Sequence, residues 1–130
     1  MDKETLEKIY RDAFAEELKA RANEGYKVVG TEPDGSEKVY EDTGAGKFYL
    51  CGFANLHYDC RTPAGRAFHR LAKRIGLDPG KDYYGGFNIS LDSAKGHGNG
   101  MFEIMVSAYE KVAEYLQSLG YPVSVQSRLD

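Results

Sequence analysis

The sequence predicts an α+β two-layer sandwich: a mixed sheet with three helices mainly on one face. Three observations carry that expectation. Segments of helical periodicity alternate with short segments of period two, in the order α-β-β-β-α-β-α-β. Three of the strand segments are apolar on one side and polar on the other, as in a sheet covered by helices on one face only. The chain has 130 residues, enough for one hydrophobic core and too few for two, so 1–130 reads as a single domain.

Residues 3–23 read as a helix. Leu6, Ile9, Tyr10, Ala13, Phe14 and Leu18 make one apolar stripe, Asp2 caps its start and Gly25 stops it. Strands are expected at 26–31 and 37–41, joined by the turn signal Pro33-Asp34-Gly35-Ser36 into an antiparallel hairpin. The clearest strand is 47–58. Phe48, Leu50, Ala54, Leu56 and Tyr58 share one face, and Cys51, Phe53, Asn55 and His57 share the other.

Thr62-Pro63 opens a second helix, with Thr as N-cap and Pro at the first helical position; it runs to about Ile75 and ends at Gly76. A strand follows at 84–91, with Phe87, Ile89 and Leu91 opposing Asn88, Ser90 and Asp92. Met101 to Leu119 reads as a long helix closed by Gly120. Tyr121-Pro122 then leads into a last strand, in which Val123, Val125 and Leu129 oppose Ser124, Gln126 and Arg128. The strand-helix-strand-helix-strand order of this half allows right-handed crossovers and parallel pairs. Together with the antiparallel hairpin, that gives the expected mixed sheet.

Composition bounds the function. A net charge of −3 and a pI near 5.6 argue against non-specific duplex binding, which rests on positive charge meeting phosphate. Nucleic acid is therefore an unfavoured partner. No secretory leader and no long apolar run are visible, so the expectation is a cytoplasmic protein with no membrane span. Two cysteines in such a compartment predict no disulfide framework.

The first candidate site is the polar side of the sheet. If the later strands are neighbours, Asn55, His57, Asn88, Ser90, Asp92, Gln126 and Arg128 converge there, with Phe53 beside them. Amides, an imidazole, a carboxylate and a guanidinium suit a polar ligand or a protein partner, and an exposed Phe is typical of contact surfaces. The plain alternative is a solvated face.

The second candidate is Gly96-His97-Gly98-Asn99-Gly100, between a strand and a helix start. Backbone N–H groups and the helix N-terminus there suit a small anion, with Arg66 and Arg70 as further anion ligands. The spacing matches neither the dinucleotide fingerprint nor the P-loop, and a connector with Asn99 as N-cap explains it equally. Gly44-Ala45-Gly46-Lys47 also fails as a P-loop: Phe48 replaces the Ser or Thr, and a strand follows.

Arg66, Arg70 and Arg74 line one face of the second helix, which also carries Lys73 and has Arg61 just before it; they suit RNA, a phosphorylated ligand or an acidic partner, or else form a solvated face paired with Glu103, Glu110 and Glu114. A double-stranded-RNA-binding domain shares the α-β-β-β-α order of residues 3–76. The loop 58–63, however, lacks the Gly and Lys cluster that grips phosphate. Cys51, His57, Cys60 and His69 have metal-ligand types without metal-ligand spacing, so no metal and no cofactor are expected. The last helix is apolar over an unusually wide arc, which suits either a central helix or a self-association surface.

Cys51-Gly52-Phe53-Ala54, Gly85-Gly86-Phe87 and the ending Ser127-Arg128-Leu129-Asp130 after an amphipathic helix carry a resemblance. Over roughly residues 47–130 the chain resembles small, uncharacterised bacteriophage-encoded proteins. That resemblance implies expression in the cytoplasm of an infected bacterium and binding to a host protein. It supplies no catalytic residues. The leading expectation is thus a non-enzymatic, phage-encoded protein that binds and modulates a host protein. A nucleotide or small-anion binding protein or hydrolase using 96–100, and an RNA-binding module using the basic helix 62–75, are the alternatives.

Overall fold

A computed structural model describes residues 1–24, 26–31, 37–43, 52–91 and 102–129, with side chains over 1–20, 53–91 and 102–128. The elements in chain order are α1 (Lys3–Glu24), β1 (Tyr26–Thr31), β2 (Glu37–Thr43), β3 (Gly52–Tyr58), α2 (Pro63–Arg74), β4 (Gly80–Lys81), β5 (Phe87–Ile89), α3 (Phe102–Ser118) and β6 (Ser124–Leu129). This is the expected two-layer α+β architecture.

Local chemistry explains the helix ends. Asp2 Oδ1 accepts from Thr5 N at 2.8 Å and from Thr5 Oγ1 at 2.7 Å. These bonds hold its carboxyl below the usual range and satisfy a donor that the helix cannot. Thr62 Oγ1 does the same for α2, accepting from Gly65 N at 3.1 Å. Gly65 is needed there, because a Cβ would collide with the Asp59 carbonyl oxygen. Gly120, at φ +92°, ends α3 where a side chain would be strained.

β1 and β2 pair antiparallel, from Tyr26↔Thr43 to Thr31↔Glu37, with a bulge between Val28 and Val29. The other strands form a four-stranded sheet in the order β4-β5-β3-β6, and each of its ladders is antiparallel. The expected crossover is present in a different form. β5 and β6, joined through α3, both run antiparallel to β3 and hence parallel to each other, but β3 lies between them. No adjacent parallel pair results, so among the described strands the sheet is antiparallel and not mixed.

The expected strand at 84–91 is also shorter. Residues 80–89 form a tight hairpin instead, with Asp82 N bonded to Gly86 O at 3.0 Å and Gly85 N to Asp82 O at 3.1 Å. Gly85 (φ +109°) and Gly86 (φ +79°) supply the turn conformation.

The core lies between the sheet and the helices. Ala54, Leu56 and Tyr58 of β3 and Ile89 of β5 are buried against Ile104, Ala108, Tyr109 and Val112 of α3, with Leu6 and Tyr10 of α1 in the same cluster. Tyr10 and Tyr109 meet at 4.8 Å between ring centroids, and Tyr109 Oη accepts from Leu91 N at 3.1 Å. α2 joins through Phe68, edge-on to Tyr58 at 4.8 Å, and through His69, whose ring lies 4.3 Å from Phe87. Tyr58 Oη and His69 Nδ1 share a hydrogen bond at 2.7 Å. The wide apolar arc of α3 is thereby explained: it packs on α1 on one side and on β3 and β6 on the other.

Candidate functional site on the polar sheet face

Side chains alternate along a strand, so burying Leu56 and Tyr58 under the helices turns Phe53, Asn55 and His57 to the other side. Register then decides what each one meets. His57 stands between Asn88 of β5 and Ser124 of β6, Asn55 opposite Gln126, and Phe53 opposite Arg128. Of the sequence-predicted residues, the structure draws His57, Asn88 and Gln126 into one bonded group.

Its centre is a carboxylate absent from the sequence-based set, Asp82. Gln126 Nε2 donates to Asp82 Oδ2 at 2.9 Å, and Tyr84 N donates to Oδ1 at 3.3 Å. His57 Nδ1 lies 2.9 Å from Asn88 Oδ1 and 3.5 Å from Asp82 Oδ2. The bond from Gln126, with those from Tyr84 N and the Asn88 amide and the nearby His57 ring, holds the Asp82 carboxyl below the usual range. Asn88 thus turns its NH₂ to Asp82 and its oxygen to His57. Both neighbours of Nδ1 are acceptors, so Nδ1 carries the proton, and Nε2 is the acceptor of the neutral ring.

That ring borders a concavity of about 600 Å³, lined also by Asp59, Cys60, Arg61, Tyr84, Gly85, Gly86 and Phe87. Gly86 is essential to it. A Cβ there would stand 2.9 Å from His57 Nε2 and 2.6 Å from the Tyr58 carbonyl oxygen. At the rim, Arg61 pairs with Asp59 at 3.3 Å, and Arg66 Nη1 donates to the Cys60 carbonyl oxygen at 3.1 Å. Cys60, which lines the same concavity as His57, is half-buried and packs against the core cluster.

Two exposed aromatic side chains follow Asp82 directly, and a third, Phe53, lies further along β3 opposite Arg128. Phe53 is 45% exposed, Tyr83 91% and Tyr84 86%. Asn55 behaves otherwise. It is only 8% exposed, and among the described residues its Oδ1 has no hydrogen-bond partner. The polar face is therefore solvated only in part, and an orphaned acceptor of this kind costs about 1–3 kcal/mol.

The other predicted residues lie apart. Ser90 is exposed beyond the end of β5 and lines a separate concavity with Asn88, Lys3 and Asp78. Arg128 is exposed at the far end of β6. Asp92 and Gly96, His97, Gly98, Asn99 and Gly100 lie outside the described residues, as does Cys51. Arg66, Arg70 and Arg74 are exposed on α2, on the helix side of the sheet, and Glu114 pairs with Lys111 at 3.6 Å. Among the described residues, no group of three or more His, Cys, Asp or Glu side chains is placed to hold a metal ion.

Asp82 was legible after the fact. An Asp two residues before a Tyr and three before Gly-Gly is an Asx-turn signal, and Gly85-Gly86 is a hairpin signal. Fold and site together define the class: an antiparallel two-layer α+β protein with a bonded polar group on the polar face of its sheet. Compared with known proteins, no family model matches the chain, and no curated protein or solved structure does either. No helix among the described residues is long and apolar enough to cross a membrane.

Proposed function

We propose that this is a non-enzymatic binding protein that engages a protein partner through the polar sheet face and the Tyr83–Tyr84 tip. One observation carries the reading. Among the described residues the exposed large apolar side chains are Met1, Phe53, Tyr83, Tyr84 and Leu119; Tyr83 and Tyr84 follow Asp82 directly in the chain, and Phe53 shares the strand face of His57 further along β3, opposite Arg128. Aromatic residues and Arg are enriched in contact surfaces, and rigid aromatic anchors contribute most where a hydrogen-bonded polar group fixes orientation. Tyr83 and Tyr84 stand edge to face at 5.0 Å, which limits the freedom each loses on docking.

That the partner is a host protein of an infected bacterium rests on the sequence resemblance at Cys51–Ala54, Gly85–Phe87 and Ser127–Asp130. The test is capture from bacterial lysate with the intact chain and with the triple variant Phe53→Ala, Tyr83→Ala, Tyr84→Ala, both read by quantitative mass spectrometry. The expected result is a prey retained by the intact chain and lost, at least tenfold, by the variant at unchanged melting temperature. Identical prey profiles would discard this reading.

A further inference from the structure

We propose that the concavity beside His57 receives a guanidinium group, an arginine side chain of the partner. This deepens the binding role proposed for the same face and rests on it. The concavity offers acceptors: His57 and the Asp59 carboxylate line it, and the His57 Nε2 and the Tyr58 carbonyl oxygen both lie against Gly86, a further lining residue. Arg61, a cationic residue of its lining, is already engaged with Asp59, and Arg66 beside it donates to the carbonyl oxygen of Cys60, another lining residue.

These two contacts show that the rim accommodates guanidinium geometry. A carboxylate offers about four lone-pair sites, and Arg61 N and Arg61 Nη2 account for two of those on Asp59. Capacity remains for a second donor. Tyr84 presents an almost fully exposed ring at the same wall, and a planar cation stacks on such a ring while its edge donates hydrogen bonds. An ammonium lacks the planar fork. An anion would face the carboxylates of Asp59 and, behind His57, Asp82. The missing Cβ of Gly86 keeps Nε2 reachable.

The test is an NMR titration of the full chain with N-acetyl-arginine methylamide, following the His57 ring nitrogens and the Tyr84 ring protons. The expected result is a saturable shift of both sets, with weaker binding of N-acetyl-lysine methylamide. Asp59→Asn should weaken binding about tenfold, equivalent to about 1.4 kcal/mol, with amide dispersion retained. Arg61→Ala, which frees Asp59, should tighten it. Absence of saturation, saturation by inorganic phosphate instead, or an unchanged Asp59→Asn variant would overturn the assignment. Lysate capture separates the two levels. Tyr83/Tyr84-dependent capture without arginine binding removes the guanidinium assignment alone, whereas arginine binding without capture removes the protein-partner reading.

Discussion

Leu56 and His57 are adjacent in sequence and sit on opposite faces of β3. Leu56 has no exposed surface, and its neighbours on that face are interchangeable in kind: aliphatic and aromatic groups packed to exclude water. His57 keeps partial exposure, and its neighbours are specific: an amide oxygen, a carboxylate and a glycine that leaves room for its ring. On one face volume is what matters. On the other, the donor or acceptor character of each atom matters. Substitutions should therefore act through stability on the first face and through recognition on the second.

The largest effect should come from the helix face. Leu56→Ala removes buried methyl groups and should lower unfolding free energy by about 2–5 kcal/mol in urea titration. Gly86→Ala crosses the boundary between the faces. It places a Cβ at φ +79° against the Tyr58 carbonyl and the His57 ring. The expected loss is about 1–3 kcal/mol, together with a changed His57 ring signal. An unaltered His57 signal would show that the ring does not depend on that glycine.

Asn55→Val sharpens the comparison from the polar side. Removing the unpartnered Oδ1 should raise stability by about 1 kcal/mol. A loss of stability would mean that the amide is structurally satisfied and belongs with the core.

pH separates the faces again. Burial against Tyr58 and Phe87, with Lys73 nearby as the lesser cause, lowers the His69 pKa from 6.5. Below 6.5 the unfolded chain binds the proton first, so this contribution to stability is present above pH 6.5 and declines as pH falls through the lower folded value. His69→Gln should flatten that part of the profile. Asp82, lowered from 3.8 by its hydrogen bonds, contributes only above its unfolded value and loses that contribution in the acid range below 3.8. The smallest stability effect belongs to Tyr83→Ala, within about 0.5 kcal/mol for an open surface position, although it should abolish capture of the partner.

Much of the fold was readable locally. Asp2 and Thr62 announced two helix starts, Gly76 and Gly120 two ends, and the alternation of β3 assigned Leu56 and His57 to their faces. The strand read at 84–91 overlooked Gly85-Gly86 because the apolar residues beyond it, Phe87, Ile89 and Leu91, dominated the pattern. Parallel pairing was expected from element order, which does not say whether a third strand is inserted. Asp82 was missed because its role depends on Gln126, forty-four positions later.

The sequence by itself determined the elements, their caps and the parity of each strand residue, because those follow from backbone geometry within a few positions. Only the tertiary structure decided the partners. Register across β5, β3 and β6 set His57 beside Asn88 and Asn55 beside Gln126, the turn after β4 carried Asp82 to them, and burial reached Asn55 against its polarity. Parity is a local property of an extended chain. Register is set by how distant segments bury their apolar sides together.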